Sequence, residues 1–150
     1  FPSIRELLVM VQTEVAQRLS ANPGSKIYGV PSVKVAWYGD AELAGTISRR
    51  VFWPIPNVDS SLVRISRYEA DALPAAEQAG VTRQELFEAV DAAFSQRRKT
   101  LRAALKKWAD VDVDALIENA GIDPLARGEV LDIDQFLSLA KARNELKQGA

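Results

Sequence analysis

The sequence predicts an α/β segment over residues 1–70 followed by an all-helical domain over residues 83–150, with a linker at 71–82. Three observations point that way. In the first segment, short apolar runs with two-residue alternation are interleaved with a run at helical spacing. The stretch DALPAAEQAG, Asp71 to Gly80, is small, polar and Pro-bearing, which suits a connection between two units. From Thr82 onward, apolar residues recur at helical period behind a T-x-x-E capping box formed by Thr82 and Glu85.

Taken in order, SIRELLVMVQ reads as a strand, and TEVAQRLSA as a helix with Val15, Ala16 and Leu19 at helical spacing, stopped by NPGS. SVKVAWYGD fits two readings: the alternation of Val33, Val35 and Trp37 favours a strand, whereas its length and Gly39 suit a short helix. AELAGTI and SSLVRISRY have strand character, and the Pro-rich FWPIPNVD between them makes a rigid connection. Leu86, Val90, Phe94, Leu101, Leu105 and Trp108 then fit one long helix, or two with a break near Ser95. DVDALIENAG ends a further helix at Gly121, Asp123 with Pro124 is expected to begin a short one, and Asp132 with Gln135 caps IDQFLSLAKARNEL. The second unit is therefore a small helical bundle.

Composition narrows the function. A chain of 150 residues with 47% apolar content buries one ordinary core, or a partial core with a small satellite domain. It contains no cysteine and no histidine, which excludes disulfides, thiol nucleophiles, Cys- or His-bearing zinc sites and His-based acid/base chemistry together. Carboxylate-only sites for hard cations survive in principle, but no EF-hand loop or comparable spacing occurs, and no metal is expected. No run reaches the roughly 18 consecutive apolar residues of a membrane span, and residues 1–20 carry Arg5, Glu6, Glu14 and Arg18, unlike a signal peptide. A cytoplasmic protein without a membrane partner is the expectation.

The net charge of −1 hides a segregated pattern. Residues 83–108 hold seven Lys/Arg against three Asp/Glu, whereas 109–150 hold four against nine. Within AAFSQRRKTLRAALKKW, six basic residues and no acidic one fall between Arg97 and Lys107. On a continuous helical wheel, Arg98, Lys99, Arg102 and Lys106 cover a sector beside the apolar stripe, and Arg97 falls close to the stripe itself. Without interleaved carboxylates for i,i+4 pairing, this band suits a run of phosphates. The competing reading is a solvated helix whose charges pair with the acidic tail, and for Arg97 a bridge between elements of the fold.

The second candidate is FWPIPNVDSS, Phe52 to Ser61. Pro54 and Pro56 fix φ and remove backbone donors directly after two aromatic residues, so the loop holds a rigid shape. Rigid aromatics stack on bases, and enzymes that modify a base first draw it out of its stack. Phe52 and Trp53 plugging the core beneath a Pro turn is the plainer alternative.

Four motifs in order, MVQTEVAQRL, YGVPSV, FWPIPNVDSSLVRI and FSQRRKTLRAAL, are similar to those of the ribosomal RNA small-subunit adenine dimethyltransferase family, and GIDPLARGEVLDIDQF extends the resemblance. The resemblance implies an S-adenosylmethionine-dependent enzyme with a Rossmann-like sheet and a helical C-terminal domain, which dimethylates two adjacent adenines near the end of small-subunit rRNA. The first segment would then be the C-terminal half of that sheet. Methyl transfer to an exocyclic amine is an in-line displacement in which positioning matters most, and it needs no histidine, thiol or metal. On the same resemblance, Phe52 offers an aromatic surface to an extruded adenine, Pro54 and Pro56 support the loop, and Arg97, Arg98, Lys99 and Arg102 bind or position rRNA, with Arg97 mainly structural. Lys106 and Lys107 join them on charge alone. Val30 and Pro31 stand where a basic residue and Leu are expected, Asn57 where Lys is common, and Gly128 where a small helix former is usual.

The sequence has no G-x-G-x-x-G and no N-x-P-aromatic element, so no cofactor-binding residues are assigned. The chain is expected to be the C-terminal part of such an enzyme, inactive alone, with small-subunit rRNA or the immature small ribosomal subunit as partner and self-association through an apolar edge around LLVMV. A non-enzymatic nucleic-acid-binding module of the same fold and a large-subunit rRNA methyltransferase are the alternatives.

Overall fold

The computed structural model describes residues 3–68 and 80–149; the expected linker lies almost wholly outside the described residues. Strand β1 (Glu6–Gln12) runs into helix α1 (Thr13–Leu19), followed by α2 (Val30–Ala36), β2 (Gly39–Ile47) and β3 (Ser60–Arg67). Among the described residues from 80 onward there are four α-helices: α3 (Arg83–Phe94), α4 (Leu101–Ala109), α5 (Val113–Asn119) and α6 (Ile133–Gln148). SVKVAWYGD thus resolves as helix, ending at Trp37, because Gly29 and Pro31 open it and the backbone of Trp37 and Tyr38 closes back onto Lys34 and Val35.

The three strands form one sheet in the order β1-β3-β2, with both pairs antiparallel. Register places Val9 opposite Val63 and Val11 opposite Ser61, and this face receives Ala16 of α1 and Val33 of α2. The other face leaves Leu8 and Met10 exposed and carries Arg64 between Glu6 (2.8 Å) and Glu42 (3.3 Å). Among the described residues, the outer edge of β1 has no partner strand. At Gly39, a Cβ would lie 2.1 Å from the Ser66 carbonyl oxygen, so only glycine lets β2 start this close to β3.

The helices enclose the main core, in which Leu86, Leu101, Leu105, Leu116, Ile117, Phe136 and Leu139 are fully buried or nearly so. Of the two readings, one long helix or two with a break near Ser95, the second holds: α3 and α4 are separate, so Arg97, Arg98 and Lys99 lie in a turn, and the continuous wheel that grouped them with Arg102 and Lys106 does not apply. The capping boxes at Thr82–Glu85 and Asp132–Gln135 form as expected, each with two reciprocal bonds.

The short helix expected from Pro124 does not form. Asp123 Oδ1 accepts the Leu125 amide at 2.9 Å, the chain makes one turn, and a 3₁₀ turn follows at Gly128–Val130. The Ala126 carbonyl instead accepts the Leu101 amide at 2.8 Å, satisfying a donor at the start of α4 that a local helix would have left open.

Tyr28 ties the first segment to the bundle. Its buried hydroxyl donates to the Leu131 carbonyl at 2.5 Å, and its ring meets Phe94 edge-on at 6.1 Å. Burial, reinforced by Asp132, pushes this hydroxyl well above the usual tyrosine range, and Tyr68 is pushed up from 10.0 to about 12 by burial, then by Asp40 and Asp134. Both folded-state values lie above the unfolded one, so their stability is present below about pH 10 and is lost as pH rises beyond it. Tyr28→Phe strands the buried Leu131 carbonyl and is expected to lower unfolding free energy by about 1–3 kcal/mol in urea titrations at neutral pH. The same variant should lose less stability than the parent as pH rises above 10.0.

Candidate nucleic-acid interface

The turn between α3 and α4 is built from its neighbours. Ser95 Oγ donates back to the Ala92 carbonyl at 2.7 Å, closing α3, and the Lys99 amide donates to the Gln96 carbonyl at 2.9 Å. Gly128 lies directly beneath: a Cβ there would sit 3.1 Å from the Ala93 carbonyl oxygen, so glycine allows the 128–130 turn to press against the end of α3. That approach brings Glu129 to Arg97.

Arg97 bridges three segments. Its Nη2 donates to the Lys26 carbonyl at 2.5 Å and its Nε lies 3.5 Å from the Glu129 carboxylate, while Nη1 faces Gly29. Beside it opens a half-open cleft of about 340 Å³ lined by Arg18, Lys26 and Arg97 together with Ile27, Val30, Pro31 and Phe94. Arg18 pairs with Glu14 at 2.9 Å on the helix surface, whereas the Lys26 ammonium has no ion-pair partner among the described residues. Val30, in the place of an expected cation, is part of the apolar lining.

Arg98 and Lys99 continue the positive surface with Gln96 and Arg97 in an adjoining, more open depression. Both are exposed, and neither has a carboxylate partner among the described residues. Arg102 differs. Its Nε and Nη2 meet the two oxygens of Asp114 at 2.6 and 3.0 Å, which holds the Asp114 carboxyl below its usual range. Lys106 and Lys107 are exposed in the last turn of α4, where ammonium groups also complement the carbonyl end of the helix.

The Pro loop sits at the far end of the β2–β3 pair. Ser48 caps a 3₁₀ turn at Arg49–Val51, and Arg49 reaches across the loop base to Asp59, with Nε–Oδ1 at 3.0 Å, and to the Asn57 carbonyl at 3.0 Å. This clamp lowers the Asp59 pKa, chiefly through the side-chain hydrogen bond from Arg49. The Asp59 carbonyl in turn accepts the Thr13 amide at 3.0 Å, fastening the loop to the start of α1. Phe52 is half-buried, Pro56 likewise, and Pro54 is exposed after a cis Trp53–Pro54 bond. Trp53 plugs nothing: it is 92% exposed.

The structure therefore places Arg97, Arg98 and Lys99 on two adjoining surfaces, Arg102, Lys106 and Lys107 along α4, and the aromatic loop at the end of the β2–β3 pair. Arg18 and Lys26 were missed because each is a lone cation in an otherwise unremarkable segment, 71 to 79 positions from Arg97. No cluster of His, Cys, Asp or Glu among the described residues could hold a metal ion, and no helix among them is long and apolar enough to cross a membrane.

A family model described as "Ribosomal RNA adenine dimethylase" matches residues 1–145. Proteins named "Ribosomal RNA small subunit methyltransferase A" are similar: that of Bifidobacterium adolescentis is 56% identical over 149 residues, covering 97% of this chain and 48% of the relative. That of Streptomyces griseus is 54% identical over 148 residues, covering 97% and 49%. The chain thus spans about half the length of these relatives. A dimethyladenosine transferase from Plasmodium falciparum shares the fold at a TM-score of 0.79 and 22% identity, covering 97% of this chain and 59% of that one. The 23S rRNA methyltransferase ErmE aligns at a TM-score of 0.63 and 22% identity, covering 95% and 56%.

The Arg49 clamp lies at the solvent-exposed surface, so its loss should loosen the loop rather than unfold the protein. In Arg49→Ala the Val51 and Phe52 amides, which bond within the 48–52 turn, are expected to exchange hydrogen faster while the melting temperature stays within a degree or two. Because the Asp59 pKa is depressed in the fold, the parent loop should loosen in the same way as pH falls below the ordinary carboxylate range.

Proposed function

The chain belongs to the ribosomal RNA adenine dimethylase family, and from that membership we propose that it supplies the rRNA-recognising part of a cytoplasmic S-adenosylmethionine-dependent enzyme of ribosome biogenesis. The reaction is the dimethylation of two adjacent adenines near the 3′ end of small-subunit rRNA. The observation that carries the reading is the pair Arg98 and Lys99. They are exposed on a tight turn without carboxylate partners among the described residues, beside a cleft that adds Arg18, Lys26 and Arg97.

Unpaired cations on a rigid turn lose little on meeting a phosphate, since no ion pair must first be broken. Arg102 contributes less, because Asp114 already takes its bidentate face. Arg97 positions its neighbours: with its guanidinium on Lys26 and Glu129, it fixes the wall between the cleft and the turn. Phe52 offers its half-exposed ring to the target adenine, with Pro54 and Pro56 holding the loop.

S-adenosylmethionine would supply the electrophilic methyl group. This chain's sequence has neither the glycine-rich loop nor the Asn-Leu-Pro-Tyr element expected to hold it and the adenine amine, so no catalytic step is assigned to its residues.

Binding of the terminal small-subunit rRNA hairpin, followed as a function of salt, tests the reading. Arg98→Ala with Lys99→Ala should flatten the log–log slope by about 1.4–1.8 units, whereas Arg102→Ala should change it less. Equal slopes for parent and double variant, or no binding by the parent, would overturn it.

A further inference from the structure

Trp53 is unused by the function proposed above, and it is the most exposed large hydrophobic residue among those described. Trp37 and Trp108, by contrast, are half-buried against the core. An indole left in water on a loop held this firmly has no folding role: Trp53 has no packing to provide, and the loop is fastened by the Arg49–Asp59 pair and the Thr13 amide instead.

Its surroundings are positive. Residues 48–58 carry Arg49 and Arg50 and no carboxylate. Asp59 occupies Arg49, but the Arg50 guanidinium has no partner among the described residues, only its backbone amide being held by Ser48. A rigid, exposed aromatic face beside an unpaired cation is the combination that binds single-stranded nucleic acid, with the ring stacking on a base and the cation meeting the backbone. The loop and the basic cleft are both attached to α1. Thr13, the first residue of α1, is bonded to the loop at Asp59, and Arg18, in the last turn of α1, lines the cleft. Thr13 and Arg18 stand five positions apart along α1, a rise of only about 7.5 Å.

We propose that Trp53 is a stacking platform for an unpaired base of the RNA strand, distinct from the adenine facing Phe52, with Arg50 on the adjoining phosphate. The strand then runs from the cleft along α1 to the loop. This inference rests on the RNA-binding reading above, and it adds a base contact to a surface otherwise made of phosphate contacts.

The test titrates the chain with a short single-stranded oligoadenylate, with the hairpin in parallel, reading both affinity and tryptophan emission. Stacking should quench the emission and remove its iodide-accessible component. Trp53→Ala should weaken binding roughly 5- to 150-fold without changing the salt slope, and Trp53→Phe should restore most of the loss. Arg50→Ala should instead flatten the slope by about 0.7 units. Thermal melts of all three should match the parent, since neither side chain is packed.

If Trp53→Ala binds as the parent does while the Arg98/Lys99 variant loses its slope, the stacking site is overturned and the RNA reading stands. If the parent binds neither RNA, both fall. If Trp53→Ala leaves RNA affinity unchanged but alters the sedimentation of the chain, the patch is a protein contact, and the proposal fails on that ground too.

Discussion

The hydrogen bond from Tyr28 to Leu131 is the constraint on which the rest of the arrangement depends. Helices α1 and α2 have seven residues each, far below the length at which a helix persists alone in water. Their positions come from packing. Tyr28 enters the bundle core beside Phe94, the Gly24 amide donates to the Glu129 carbonyl at 2.7 Å, and Ser32 ties α2 back to the end of α1 by donating to the Arg18 carbonyl at 2.5 Å. Once Tyr28 is seated, the Lys26 carbonyl two residues earlier lies within reach of Arg97, and the cleft closes on that side. The cations of the candidate interface are thus placed by an uncharged core contact, not by one another.

Charge in this protein divides into cations already engaged and cations left open. Arg49, Arg64, Arg97 and Arg102 each meet a carboxylate, so their positive charge is matched within the fold. Lys26, Arg50, Arg98 and Lys99 do not, among the described residues. Exposed ion pairs add little stability, so the engaged arginines matter as struts with defined geometry. The open cations carry the outward field. A net charge of −1 conceals this, because residues 109–150 carry an acidic excess of nine Asp/Glu over four Lys/Arg, and some of these carboxylates cap α5 and α6 and pair with Arg102.

Local signals were legible in the sequence and long-range ones were not. The capping boxes at Thr82 and Asp132 and the strands at Glu6–Gln12 and Ser60–Arg67 follow from residue type and spacing within a few positions, whereas near Ser95 the spacing fits one helix or two. SVKVAWYGD could not be decided that way, since alternation and helical spacing coincide over so short a run; Gly29 and Pro31 settle it only when the core contact of Val33 is known. The helix at Pro124 was misread because the need of Leu101 for a carbonyl, from a residue 25 positions later, outweighs a local start signal. The wheel that placed Arg97 to Lys99 on a helix face failed for a related reason. Arg97 is drawn out to Lys26 and Glu129, and a turn follows. Exposure of Trp53 was invisible in the same sense: an aromatic after a strand reads as core, and only the Arg49 clamp shows that the loop stands without it.

Two departures from the family pattern are connected through this geometry. Val30, where the resemblance led one to expect a cation, gives the cleft apolar lining, and Arg18, Lys26 and Arg97 are its positive groups. Of these, Arg97 is held by the Lys26 carbonyl and by Glu129, and Gly128, with no Cβ to strike Ala93, lets Glu129 come near. The glycine therefore does more than tolerate a turn. It sets the separation between the 128–130 turn and α3, and through Arg97 it sets where the Lys26 backbone lies. Small and apolar residues here decide the placement of charge, and a reading that counted only basic residues would assign the site to Arg102 and miss Lys26.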